Sequence, residues 1–124
     1  MSTALHDVAS AAFVAAGLYP DTQTSSPTGP TIDMISADGQ CFAIQQIGDI
    51  SADGVLSGHI EESADGTNWT AISGAVFDDV IGDNTVQVIR FMRSERYVRY
   101  AATLTGSSPS VVIAVLIGEQ KKTL

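Results

Sequence analysis

Five aspartates in two loop-like stretches are the first residues whose types and spacing could do chemistry. Asp78, Asp79 and Asp83 stand in DDVIGDN, and Asp49 and Asp53 in GDISADG. Clustered carboxylates are hard oxygen donors suited to calcium. Neither spacing follows the alternating ligand pattern of a helix–loop–helix calcium site, so solvated acidic loops are expected and no metal ligand is assigned. Glu61 and Glu62 are adjacent. On a strand they point to opposite faces and cannot work as a general acid and base pair. The two histidines are His6, near the start, and His59, on the polar side of an alternating stretch. Neither accompanies a nucleophile in a G-x-S-x-G context, and there is no phosphate-cradling or dinucleotide-binding glycine motif. No catalytic residue and no cofactor are expected, and the chain reads as a non-enzyme. The single cysteine, Cys41, allows neither an intrachain disulfide nor a cysteine-based zinc site. Its place between Gln40 and Phe42, at the start of an apolar run, suits a small buried hydrophobe.

Arg90, Arg93, Arg96 and Arg99 recur at every third position. On a helix they would form a basic stripe, but their β-branched and aromatic neighbours favour strands, which scatters them over both faces. Arg90 and Arg99 can then pair with acids on adjacent strands, while Arg93 and Arg96 flank a turn at Ser94-Glu95. Two outcomes follow: ion pairs within the domain, or contact with an acidic neighbouring subunit.

The elements that must position these residues are strands. Gly58–Ile72, GHIEESADGTNWTAI, reads as strand, tight turn and strand, with Asp65-Gly66 at the turn and Ile60, Trp69 and Ile72 as apolar anchors. Further strands are expected at 11–19, 31–35, 40–47, 55–62, 85–92, 96–104 and 110–118. Turn signals separate them, among them Ala-Asp-Gly at 37–39, 52–54 and 64–66. Ser110–Gly118, SVVIAVLIG, is apolar on both faces, which suits a central strand under a second layer or a strand in a subunit interface. No stretch has the period of an amphipathic helix. The fold class is all-β: a single antiparallel sandwich, jelly-roll-like, of about six to eight strands with an N-terminal arm. Residues 1–20 form that arm or a first strand, 21–30 a loop, 31–118 the sandwich and 119–124 a polar tail.

Charged residues are 16% of the 124-residue chain, low enough to suggest that part of the surface is covered by other subunits. The net charge of −8 is uneven: residues 1–89 hold 12 acids and no Lys or Arg, and residues 90–124 hold all six bases. Such an acidic body repels phosphates, so no nucleic-acid partner is expected. The first residues lack a basic secretory start, and Ala9–Leu18 is too short an apolar run to cross a membrane, so no membrane partner is expected and synthesis in a host cytoplasm is.

Two resemblances extend these readings. EESADGTNWTAI followed by RYVRY resembles the hairpin and strand of discoidin-type (coagulation factor 5/8 C-terminal) sandwiches, which bind sugars or membranes through loop spikes. The run from Ile32 to Gly118 is similar to small structural proteins of tailed bacteriophages, of the capsid decoration (cement) kind. Its most specific part is RYVRYAATLTGSSPSVVIAVLIG. That resemblance implies a virion protein on the capsid surface, with the major capsid protein lattice and further copies of itself, as homotrimer or homodimer, for partners. The expected interface residues are Phe13, Val14, Arg93, Arg96, Arg99, Val112 and Leu116, with Trp69 and Tyr97 as structural anchors. A carbohydrate- or surface-binding module, or a tail or connector component, is the alternative.

Overall fold

Alternating apolar and polar residues between turn formers produce strands throughout. The computed structural model describes residues 11–122 and contains eight of them. They are β1 (Ala12–Gln23), β2 (Ile32–Asp33), β3 (Ala37–Ile50), β4 (Val55–Ser63), β5 (Thr70–Val76), β6 (Thr85–Phe91), β7 (Tyr97–Thr105) and β8 (Val111–Lys121). One sheet has the order β1-β8-β3-β6 and the other β2-β7-β4-β5. The antiparallel pairs β1–β8, β2–β7, β3–β6 and β4–β5 are nested. The chain is thus one long hairpin, with its tip at the β4–β5 turn, rolled up until β8 also meets β3 and β7 also meets β4. That arrangement is a jelly roll.

The tip forms where it does because Asp65 organises it. Its carboxylate accepts from the backbone N–H of Thr67 and Asn68 at 2.8 and 2.9 Å and from the Ser63 hydroxyl at 2.9 Å, while Gly66 supplies a positive φ of 77°. The core lies between the sheets. Ala43 and Ile47 of β3 and Val111, Ile113, Val115 and Ile117 of β8 face Leu56 and Ile60 of β4 and Val98, Tyr100 and Leu104 of β7. Tyr100 stacks edge-on against Phe77 at 6.0 Å between centroids, and its hydroxyl donates to buried Gln45 Oε1 at 2.6 Å. Burial holds the Tyr100 phenol well above its ordinary pKa.

Several expectations shift. The stretch expected at 11–19 is a strand from Ala12, and β1 runs on to Gln23, three residues into the stretch read as loop. The final strand runs on to Lys121, and Glu119 within it is fully buried, so the polar tail is shorter than composition suggests. Ala37-Asp38-Gly39 is no turn. It opens β3, with Gly39 at φ 109° in a register shift against β8, and the chain reverses just before it at Ile35-Ser36. Trp69 and Tyr97 are half-buried on the outer side rather than core anchors. For Tyr97 register accounts for this: it pairs with Ser63 on the outward side of the β4–β7 ladder, opposite to the buried set Val98, Tyr100 and Leu104. His6 lies outside the described residues.

Candidate interaction face

The two sheets present contrasting outer faces. On the β1-β8-β3-β6 sheet, residues paired across the strands share one face. Ala16, Leu116, Ile44 and Val88 form one outward row, and Val14, Gly118, Phe42 and Arg90 the next. Ala114, Gln46 and Val86 form a third. Val86, Val88 and Leu116 are 65%, 59% and 44% exposed. Arg90 is the single charged residue in those rows. Gly118 is required to be small, because the Phe42 ring lies directly over it and a Cβ there would run into that ring. The Phe42 side chain is thereby laid flat along the face. A shallow groove of about 370 Å³ lies between Pro20, Gln46, Val86 and Val112, and one of about 220 Å³ between Ala16, Ile44 and Leu116.

The other sheet is mostly polar outside, with exposed Val76 on its edge strand, and its charged groups pair with one another. Arg99 Nε donates to Glu61 Oε1 at 2.8 Å, and His59 Nε2 lies 3.1 Å from Glu61 Oε2. Burial alone would raise the Glu61 pKa, but the hydrogen bonds from Arg99 and His59 outweigh it and hold the carboxyl below its ordinary value. The Arg99 guanidinium lies over the Trp69 ring, 4.3 Å from its centre. That ring face is therefore occupied and not free to stack on a sugar.

The two ends of the roll differ in charge, one purely acidic and the other mixed. The β1–β2, β3–β4, β5–β6 and β7–β8 connections gather at one end. Asp21, Asp49, Asp53, Asp78, Asp79 and Asp83 lie in or beside them, with no Lys or Arg. Three of these acids brace the loops: Asp83 accepts from Ile50 N at 2.8 Å, Asp79 from the Ser57 hydroxyl at 2.7 Å and Asp53 from Ser107 N at 2.7 Å. Among the described residues no three His, Cys, Asp or Glu side chains converge as metal ligands would.

The opposite end carries Arg90, Arg93, Arg96, Lys121 and Lys122 together with the acids Asp33, Asp38, Glu62, Asp65, Glu95 and Glu119. Arg93 is a clasp. It reaches both carboxylate oxygens of buried Glu119 at 2.9 and 3.1 Å and donates to the carbonyls of Met34, Ala37 and Glu95 at 2.8 to 2.9 Å. Cys41 Sγ donates to Glu119 Oε2 at 3.2 Å. Burial, and then the Glu119 carboxylate beside it, push this thiol up to about 12. Arg96 forms a two-pronged pair with Asp33 at 2.9 and 2.7 Å.

Of the expected interface residues, Val14, Val112 and Leu116 stand together on the apolar outer face. Phe13 packs against the core instead. Arg93, Arg96 and Arg99 are each paired with an acid of their own chain. As many residues of the face were not singled out from sequence: Ile44, Val86 and Val88. Alternation assigns such residues to one side of a strand but does not say which side faces the second sheet.

No protein-family profile matches the chain, and no curated protein matches it. Among solved structures the chain is similar to one in the structure of infectious bursal disease virus, Gx strain. The TM-score is 0.43 and the identity 12%, over 90% of this chain and 32% of that one. The protein thus spans about a third of that chain's length.

Proposed function

We propose that the protein is a non-enzymatic structural component of a virion, a decoration protein that sits on the head exterior and stabilises it. The observation that carries this is the exposed apolar outer face of the β1-β8-β3-β6 sheet, beside a second sheet whose outer face is mostly polar and internally paired. A face of that kind is an interaction surface. Protein partners suit it, namely the major capsid protein lattice and further copies of the chain. The resemblance of Ile32–Gly118 to phage decoration proteins supplies the setting, since a jelly roll by itself hosts many functions. In this role the protein works passively: many modest contacts, repeated by symmetry, bridge neighbouring shell subunits.

The test is co-sedimentation of the purified protein with heads that lack it. Saturable binding at a fixed copy number per head is expected. Absence from heads, with recovery in tails or on glycans instead, would overturn the decoration role.

A further inference from the structure

We propose that the apolar outer face is covered by the same face of a second copy, with the strands of the two copies running in opposed directions. The inference deepens the structural role above by naming the occupant of that face.

The chemistry of the face selects a sheet as its partner. It is crossed by four strands and holds aliphatic side chains in three successive rows. At about 4.8 Å between strands and about 3.3 Å per residue, such a face covers roughly 400 Å². That is within the range of the largest apolar patch on a monomer, and about half of one side of a standard stable interface. Two such faces can pack about 10 Å apart, as sheets do inside a sandwich. Apolar contact alone would give weak pairing, so the charges around the rim decide whether and how two copies meet.

Those charges are complementary between copies in one orientation only. One end of the roll holds six aspartates and no Lys or Arg. The other end holds acids as well, but Asp33 and Glu119 are paired with Arg96 and Arg93, and Glu62 and Asp65 accept from backbone N–H groups. This leaves Arg90, Lys121 and Lys122 against Asp38 and Glu95 and makes it the end with a surplus of unpaired cations among the described residues. A two-fold axis across the strands lays each cationic end over the partner's acidic end. An axis along the strands would bring the two acidic ends together, at a cost in repulsion. Arg90 stands on the face itself, in the row nearest the cationic end, so it is the cation best placed to reach the partner's aspartates. The pairing is isologous and closes at two copies, which leaves no apolar face open for further growth.

The test is sedimentation of the full chain over a range of concentrations, at low salt and in half-molar salt. A monomer–dimer equilibrium is expected, weakened about tenfold by the salt. Val88→Asp and Leu116→Asp each place a charge on the face without burying it in the core. Both are expected to leave the protein monomeric, with the circular dichroism spectrum unchanged. Arg90→Asp and Asp49→Arg should each weaken the dimer, and the two together should restore it, because the pair is then reversed.

A protein that stays monomeric at high concentration, or a dimer untouched by both face variants, would overturn the proposal. Failure of the swapped pair to restore association would overturn the opposed orientation. A monomer that binds heads and loses that binding with Val88→Asp would give the face to the capsid, leaving the decoration role standing and the self-pairing refuted. A dimer with no affinity for heads would do the reverse.

Discussion

Single side chains at several places brace this fold, and their energetics can be read one at a time. Tyr100 and Gln45 meet in the middle of the core, where the Gln45 amide nitrogen has no partner. Tyr100→Phe leaves the amide oxygen unpaired as well and should cost about 1–3 kcal/mol in urea unfolding. Adding Gln45→Met to it should recover much of the loss, because both polar partners are then gone. Cys41 is held as a thiol by burial and by Glu119, so it should resist alkylation at pH 8 in the native state and react once the chain is unfolded. Asp65 is the titrating residue that matters most to the hairpin. Backbone N–H donors from Asn68 and Thr67 lower its pKa below the ordinary 3.8. Its contribution is therefore complete above that value and disappears as pH falls through the lower, folded-state value. Asp65→Asn should lower the melting temperature at pH 7, and the gap to the parent protein should close as the pH is taken toward 2. Sequence reading found the Asp65-Gly66 turn because the signal is local. It did not find the Tyr100–Gln45 contact, which joins residues 55 apart.

At the level of strands, sequence was informative about position and less so about orientation. Each of the eight strands overlaps a stretch that alternation and turn residues mark, because period two and the Gly/Asp signals are written in neighbouring residues, but β1, β3 and β8 outrun the expected bounds. The three Ala-Asp-Gly sequences did not behave alike. Two are in turns, and the one at 37–39 opens β3, because pairing with β8 at Ala37 and Cys41 draws it into the ladder. Tyr97, expected as an anchor, is placed outside by register, a property of the ladder rather than of the residue, and Trp69 lies just before β5 under the Arg99 guanidinium. Arg93 joins four elements of one end: the β2–β3 connection, the start of β3, the β6–β7 connection and β8. Arg93→Met strands the Glu119 carboxylate in the interior and should cost about 3–5 kcal/mol. The double variant with Glu119→Met should recover most of it. Gly118→Ala pushes Phe42 off its seat and should cost about 1–3 kcal/mol.

For the molecule as a whole, the uneven charge of the sequence leaves one end of the roll without any Lys or Arg. The nested pairing sends the four acidic or uncharged connections to one end, and all six cations lie elsewhere. That difference was half legible: the break after residue 89 is plain in the sequence, but which loops share an end depends on strand order. The apolar final strand was legible as unusual. Its meaning required the fold, which spends one side on the core and leaves the other outward among like neighbours from β1, β3 and β6. The same asymmetry predicts how solubility responds to pH. As the solution approaches the isoelectric value near 4.3, the net charge that separates molecules vanishes while the apolar face remains. Turbidity should pass through a maximum there, and Val88→Asp should reduce it.

The stacking of Arg99 on Trp69 gives the chain an optical label with a defined address. The lone indole sits on the outer side of the polar sheet, under a guanidinium and beside the β4–β5 tip, away from the apolar sheet. Its emission therefore tracks the tip of the rolled ribbon. Loss of the tip by acid or denaturant should shift the spectrum to the red as water reaches the ring. Events confined to the opposite sheet should pass without a colour change, so fluorescence and sedimentation report on two different sides of this molecule.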